Sequence, residues 1–138
     1  MDRTRYMKIE EQVLSIEQMK HLQDLGVDTS DASMCWLRYD VGGVVKQYVE
    51  INDVKWHEWS RATPYPTYTI GDLIEKLPKN IEGSFLLIEF CASGLGYGDW
   101  DCGELYGINA QQNFKDKPLK NALYDLLCWV AENHKELL

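Results

Sequence analysis

Met34-Cys35-Trp36-Leu37-Arg38-Tyr39 and Val44-Val45-Lys46-Gln47-Tyr48-Val49-Glu50-Ile51, separated by the pair Gly42-Gly43, decide the fold class of this chain. Both runs are rich in β-branched and aromatic side chains, which suit a pleated, half-buried surface. The two glycines tolerate positive φ, as a tight turn between antiparallel strands requires. The stretch reads as a β-hairpin. In its second strand Val45, Gln47, Val49 and Ile51 share one face and Val44, Lys46, Tyr48 and Glu50 the other, so that strand is expected to be half exposed.

The flanking segments read as helices. Upstream, Ser15 with Gln18 three residues on makes a capping box, and Leu14 can staple against Met19. Ile16, Met19, Leu22 and Leu25 follow at helical spacing, and Gly26 supplies a left-handed stop. The spacing predicts a helix over 16–25. Downstream, Thr69 and Asp72 form a second cap ahead of Ile70, Leu73, Ile74 and Leu77, a regular apolar stripe that Pro78 ends. The last helix begins near Pro118, carries Leu119, Ala122, Leu123, Leu126, Leu127 and Val130 on one face, and fades around Asn133.

Two regions read differently. Trp56 to Pro66 carries two prolines one residue apart, which argues against regular structure. Ser84 to Cys91 is a nearly continuous apolar run, hence a central strand, followed by a glycine-rich bend at Gly94-Leu95-Gly96-Tyr97-Gly98 and a return strand over Trp100 to Ile108. The order is helix–hairpin–helix–hairpin–helix: an α+β fold with an antiparallel β-sheet and helices packed on one face. Residues 1–138 form one domain, with 1–8 a loosely ordered N-terminal segment. Whether the two hairpins share one sheet stays open.

Composition narrows the function. At 45% hydrophobic and 26% charged residues the chain is globular rather than disordered. A formal net charge of -8 repels a phosphate backbone, so direct nucleic-acid binding is not expected. The same charge leaves open an acidic mimic of nucleic acid that inhibits a basic enzyme. No apolar stretch is long enough to cross a bilayer, and Ile9-Glu10-Glu11-Gln12 interrupts any signal-peptide pattern; a cytoplasmic protein without a membrane partner is expected. Cys35, Cys91, Cys102 and Cys128 include no Cys-x-x-Cys pair, and no histidines stand at metal-ligand spacing, so neither a metal nor a cofactor is expected.

Three groups of residues carry candidate chemistry. Trp56, Trp59, Tyr65 and Tyr68 crowd one proline-spaced segment; exposed, they would anchor a protein, peptide or sugar, and buried, they would cover the sheet. Glu89, Asp99, Asp101 and Glu104 form the densest carboxylate group, a candidate acidic site for a small hydrolase or simply a solvated hairpin end. Their spacing does not match a calcium loop. His57 beside Glu58 is a candidate base with Cys35 as a nucleophile, although a lone loop histidine is commonly just that. The glycines at 94–98 do not make a phosphate loop, because Asp99-Trp100-Asp101 follows them instead of a helix start with a lysine.

Val13 to Val27, Tyr65 to Pro78 and Leu123 to Asn133 resemble segments of a family of short, uncharacterised proteins of phages, prophages and mobile elements in Bacteroides-type bacteria. That resemblance covers the three helices and implies only a setting: a bacterial cytoplasm and a phage-derived gene. It carries no activity or catalytic residue. With no nucleophile elbow, phosphate loop, zinc set or dinucleotide fingerprint in the chain, the leading expectation is a non-enzymatic binding or accessory protein with a protein partner.

Overall fold

Gly42 and Gly43 sit at φ 61° and 84°, the left-handed pair of a two-residue type I′ turn. Asp40 locks the turn, its Oδ1 accepting from the Gly43 N–H at 2.9 Å. The computed structural model that shows this describes residues 8–53, 62–89, 94–98, 112–113 and 117–138. The turn joins β1 (Met34–Val41) to β2 (Val44–Ile51) in the register Val41↔Val44 through Met34↔Ile51. The described residues form an α+β fold with two small antiparallel sheets and three α-helices, α1 (Ile16–Asp24), α2 (Ile70–Lys76) and α3 (Leu119–Asn133).

The first sheet has the order β2-β1-β3, where β3 is Thr63–Thr67. This corrects the expectation of irregular structure around Pro64 and Pro66. Residues two apart in a strand turn their backbone groups to the same side. Pro64 and Pro66, facing Leu37 and Cys35, therefore both present their missing donor to the free edge, and Thr63, Tyr65 and Thr67 serve the ladder. Prolines at this spacing are compatible with an edge strand, and with that one only.

The second sheet has the order β4-β5-β6-β7: Asn80–Ile81, Ser84–Glu89, Gly94–Gly98 and Gln112–Asn113. Here too the sequence reading needs correction. Gly94–Gly98 is a strand, not a bend, in register with β5 from Glu89↔Gly94 to Phe85↔Gly98. Leu95 and Tyr97 are fully buried on the face toward α3, and the three glycines fall on the other. The period of two was present but carried by only two side chains. The return strand placed at Trp100 to Ile108 lies outside the described residues. β5 is central as expected, though Phe85 stays 61% exposed. A second tight turn, Glu82-Gly83 at φ 52° and 87°, joins β4 to β5, with Asn80 Oδ1 accepting from the Gly83 N–H.

The helices match their caps. Ser15 Oγ accepts from Gln18 N–H at 3.1 Å while Gln18 Oε1 accepts from Ser15 N–H at 2.9 Å. Thr69 and Asp72 repeat the exchange at 3.0 Å both ways. Gly26 at φ 89° closes α1, with Gly26 N–H on the Gln23 carbonyl and Val27 N–H on that of Leu22, a Schellman motif. Leu123, Leu126, Leu127 and Val130 of α3 are fully buried with Leu14, Leu22, Leu73, Leu77, Leu95 and Tyr97 in the main core. Each such side chain contributes about 1.5–3 kcal/mol relative to exposure. Apart from Lys8, the N-terminal segment 1–8 lies outside the described residues.

Candidate functional site

The two faces of the first sheet have different surroundings. On one, Trp36 and Val49 pack with Val13 and Ile16. The Leu14 carbonyl fastens that side by accepting from both Trp36 Nε1 (2.9 Å) and Thr67 Oγ1 (2.7 Å). Leu14 N–H in turn donates to the Tyr68 carbonyl. On the other face Cys35, Leu37, Tyr39 and Val41 alternate along β1 opposite Glu50, Tyr48, Lys46 and Val44 of β2. Cys35 and Leu37 are buried with Ala62, but burial stops there.

Beyond Leu37 the sheet opens into a cleft of about 850 Å³. Leu37, Tyr39, Val41, Tyr48 and Ala62 supply apolar lining, and Arg38, Asp40 and Glu50 also border it. Tyr39 and Tyr48, diagonal neighbours across the ladder, meet edge to face with centroids 5.2 Å apart. Val41, Val44, Val45, Tyr48 and Ile51 are all exposed, the last to 70%. Such a gathering of exposed aliphatic and aromatic side chains on one hairpin is a recognition surface by composition.

Of the aromatic residues singled out from sequence, Tyr65 and Tyr68 are described, and they sit in different clusters. Tyr68 has no exposed surface. Its hydroxyl lies 2.6 Å from Asp31 Oδ1 and 3.0 Å from the Asp28 carbonyl, and Lys76 Nζ reaches the same two residues. Burial first, then the Asp31 carboxylate, pushes the Tyr68 phenol far above its ordinary range. Tyr65 is half-buried on β3, packed on the Trp36 cluster with Lys20 Nζ 5.4 Å above its ring. Trp56 and Trp59 lie outside the described residues, as do Asp99, Asp101, Glu104 and His57; of Glu89 only the backbone, at the end of β5, is described. Among the described residues no group of three His, Cys, Asp or Glu side chains could hold a metal ion, and no helix is long and apolar enough to cross a membrane.

Cys35 is fully buried, and burial, with the Glu50 carboxylate adding to it, raises its pKa. Cys128 in α3 is pushed up to about 11, again chiefly by burial. Both are held as thiols at neutral pH, the reverse of what a cysteine nucleophile requires. The sequence signal for the cleft was β2 itself, which carries Val, Tyr and Ile on its faces although only Val49 of its eight residues is buried. Comparison with family models, with characterised proteins and with solved structures gives no match to this chain.

Proposed function

We propose that this chain is a non-enzymatic binding module that captures an apolar side chain of a protein partner in the cleft on the hairpin sheet. The observation that carries the reading is the opening of that cleft, lined by Leu37, Tyr39, Val41 and Tyr48, with Tyr39 only half-buried and Val41 and Tyr48 exposed. Exposed aromatic and aliphatic side chains gathered at a concave site are where contact hot spots form. The raised Cys35 thiol in the same sheet supports binding over nucleophilic chemistry. The resemblance to short proteins of phages and mobile elements supplies the setting we propose, an accessory protein of a bacterial cytoplasm.

Selection from a random peptide library tests the reading. Enriched peptides should carry an apolar anchor and shift the amide resonances of Leu37, Tyr39 and Tyr48. Tyr39→Ala should weaken them about tenfold or more, the scale of an aromatic anchor, with the melting curve showing a folded variant. Peptides that shift resonances elsewhere, or bind the folded variant equally well, would refute it.

A further inference from the structure

We infer that β2 is a dimerisation strand, pairing antiparallel with β2 of a second copy of this chain about a twofold axis at Tyr48. The two edges of the first sheet are treated oppositely. β3 presents Pro64 and Pro66, which cannot donate to another strand. β2 has eight residues, no proline, and no pairing partner on its outer side among the described residues. Long edges without proline are templates for a further strand, and proteins ordinarily blunt them. Only the β3 edge carries proline; β2 carries Lys46 and Glu50, charges of opposite sign that a matching strand can pair.

The hairpin fixes which groups are on offer. A two-residue type I′ turn is closed by a hydrogen-bonded pair, here Val41 and Val44. Counting from it, Val44, Lys46, Tyr48 and Glu50 turn their N–H and C=O groups toward β1, while Val45, Gln47, Val49 and Ile51 turn theirs outward. The independent placement of Pro64 and Pro66 at positions bonded to nothing on β1 agrees with this parity.

Charge then selects the occupant and the register. A twofold antiparallel pair must set residues of one face opposite residues of the same face, so the axis passes through a residue. Centred on Tyr48, the pairing sets Lys46 opposite Glu50 of the second copy, twice, and Val45 opposite Ile51, twice; Tyr48 faces itself. Centring on Lys46 or Glu50 instead sets like charges face to face, and centring on Gln47 or Val49 leaves both charges without an opposite. Lys46, Tyr48, Glu50, Val45 and Ile51 are all exposed and free to meet such a partner. The result is one continuous six-stranded sheet, with the two clefts opening on the same side because the axis is perpendicular to it. The pairing uses the strand edge and does not depend on peptide capture.

Sedimentation velocity over a concentration series at physiological salt tests this on the whole chain. The wild type should sediment at twice its 16.0 kDa mass. Lys46→Glu and Glu50→Lys should each weaken the dimer about tenfold or more by opposing like charges, and the double exchange should restore it. Gln47→Pro, which removes an outward N–H and leaves the β1 ladder intact, should give monomer, with circular dichroism confirming the fold. A wild type that stays monomeric up to concentrations on the order of 100 μM, or a dimer indifferent to the single exchanges, would overturn the proposal. So would a double exchange weaker than either single.

Discussion

Tyr68→Phe asks whether the fully buried Tyr68, one of the aromatic residues flagged from sequence, serves the fold. The ring stays and only the hydroxyl goes, so the transfer contribution of the side chain is kept. What is lost is a hydrogen bond to a carboxylate, the 2.6 Å contact with Asp31. Bonds to charged partners are worth about 1.5–3 kcal/mol. The Asp31 side chain is 54% exposed and keeps Lys76 at 3.0 Å, so water and the ammonium replace much of that interaction. A loss of about 1–2 kcal/mol follows, equivalent to a melting temperature lower by about 3–7 °C in a chain of this length. A pH signature accompanies it. The phenol's folded pKa lies above its ordinary 10.0, so its stabilisation is complete below pH 10 and declines as pH rises beyond that. Each such tyrosine steepens the alkaline decline by about 1.4 kcal/mol per pH unit, and Tyr68→Phe removes one of them while Tyr97 and Tyr124, also raised, remain. Thermal melts between neutral pH and the alkaline limit read both effects. An unchanged melting temperature with an unchanged alkaline slope would refute the role assigned to the hydroxyl. Tyr68→Ala, losing the ring as well, should cost about 3–5 kcal/mol; any binding it abolishes reports unfolding rather than a contact.

Two further outcomes are expected. Glu82→Asn should stabilise the chain by about 0.5–1 kcal/mol in a denaturant titration, because Glu82 sits at φ 52° in a type I′ turn that asparagine before glycine favours; a destabilised variant would mean Glu82 has a compensating contact. Cys35 and Cys128 should resist iodoacetamide in the native protein at neutral pH and react only on unfolding, as peptide mapping would show; rapid native alkylation of Cys35 would revive it as a nucleophile.

The helices were legible because their information is local. A cap, a stripe and a stop all fall within one segment, and Ser15–Gln18, Thr69–Asp72 and Gly26 each form the contacts their residue types imply. The strands were legible only where many side chains carry the period, as in β1 and β2. β3 was missed because proline was weighed as a breaker of all regular structure, when two prolines at this spacing break only one edge of it. β6 was missed because three of its five residues are glycines and show no side chain from which to read a face. The partition into two sheets is a long-range fact that no local pattern encodes.

The candidate site was least legible because it is made by what fails to be covered. Leu37 and Tyr39 belong to the same face of β1, yet one is buried and the other opens into the cleft. Leu37 is buried in the small cluster with Cys35 and Ala62, and Tyr39 lies only partly buried at its edge. Exposed hydrophobic surface of this extent works against solubility, and the chain's net charge of -8 opposes unspecific association. Like net charges also oppose the dimer, so an interface between two such copies needs local charge of both signs. Lys46 and Glu50, placed symmetrically about Tyr48, provide it, and they do so on the one edge that proline leaves unprotected. Raising the ionic strength therefore acts in two directions on self-association, screening the repulsion between whole chains and the attraction between these pairs. The charge-exchange variants separate the two contributions: Lys46→Glu changes both, and the double exchange returns net charge and pairing together.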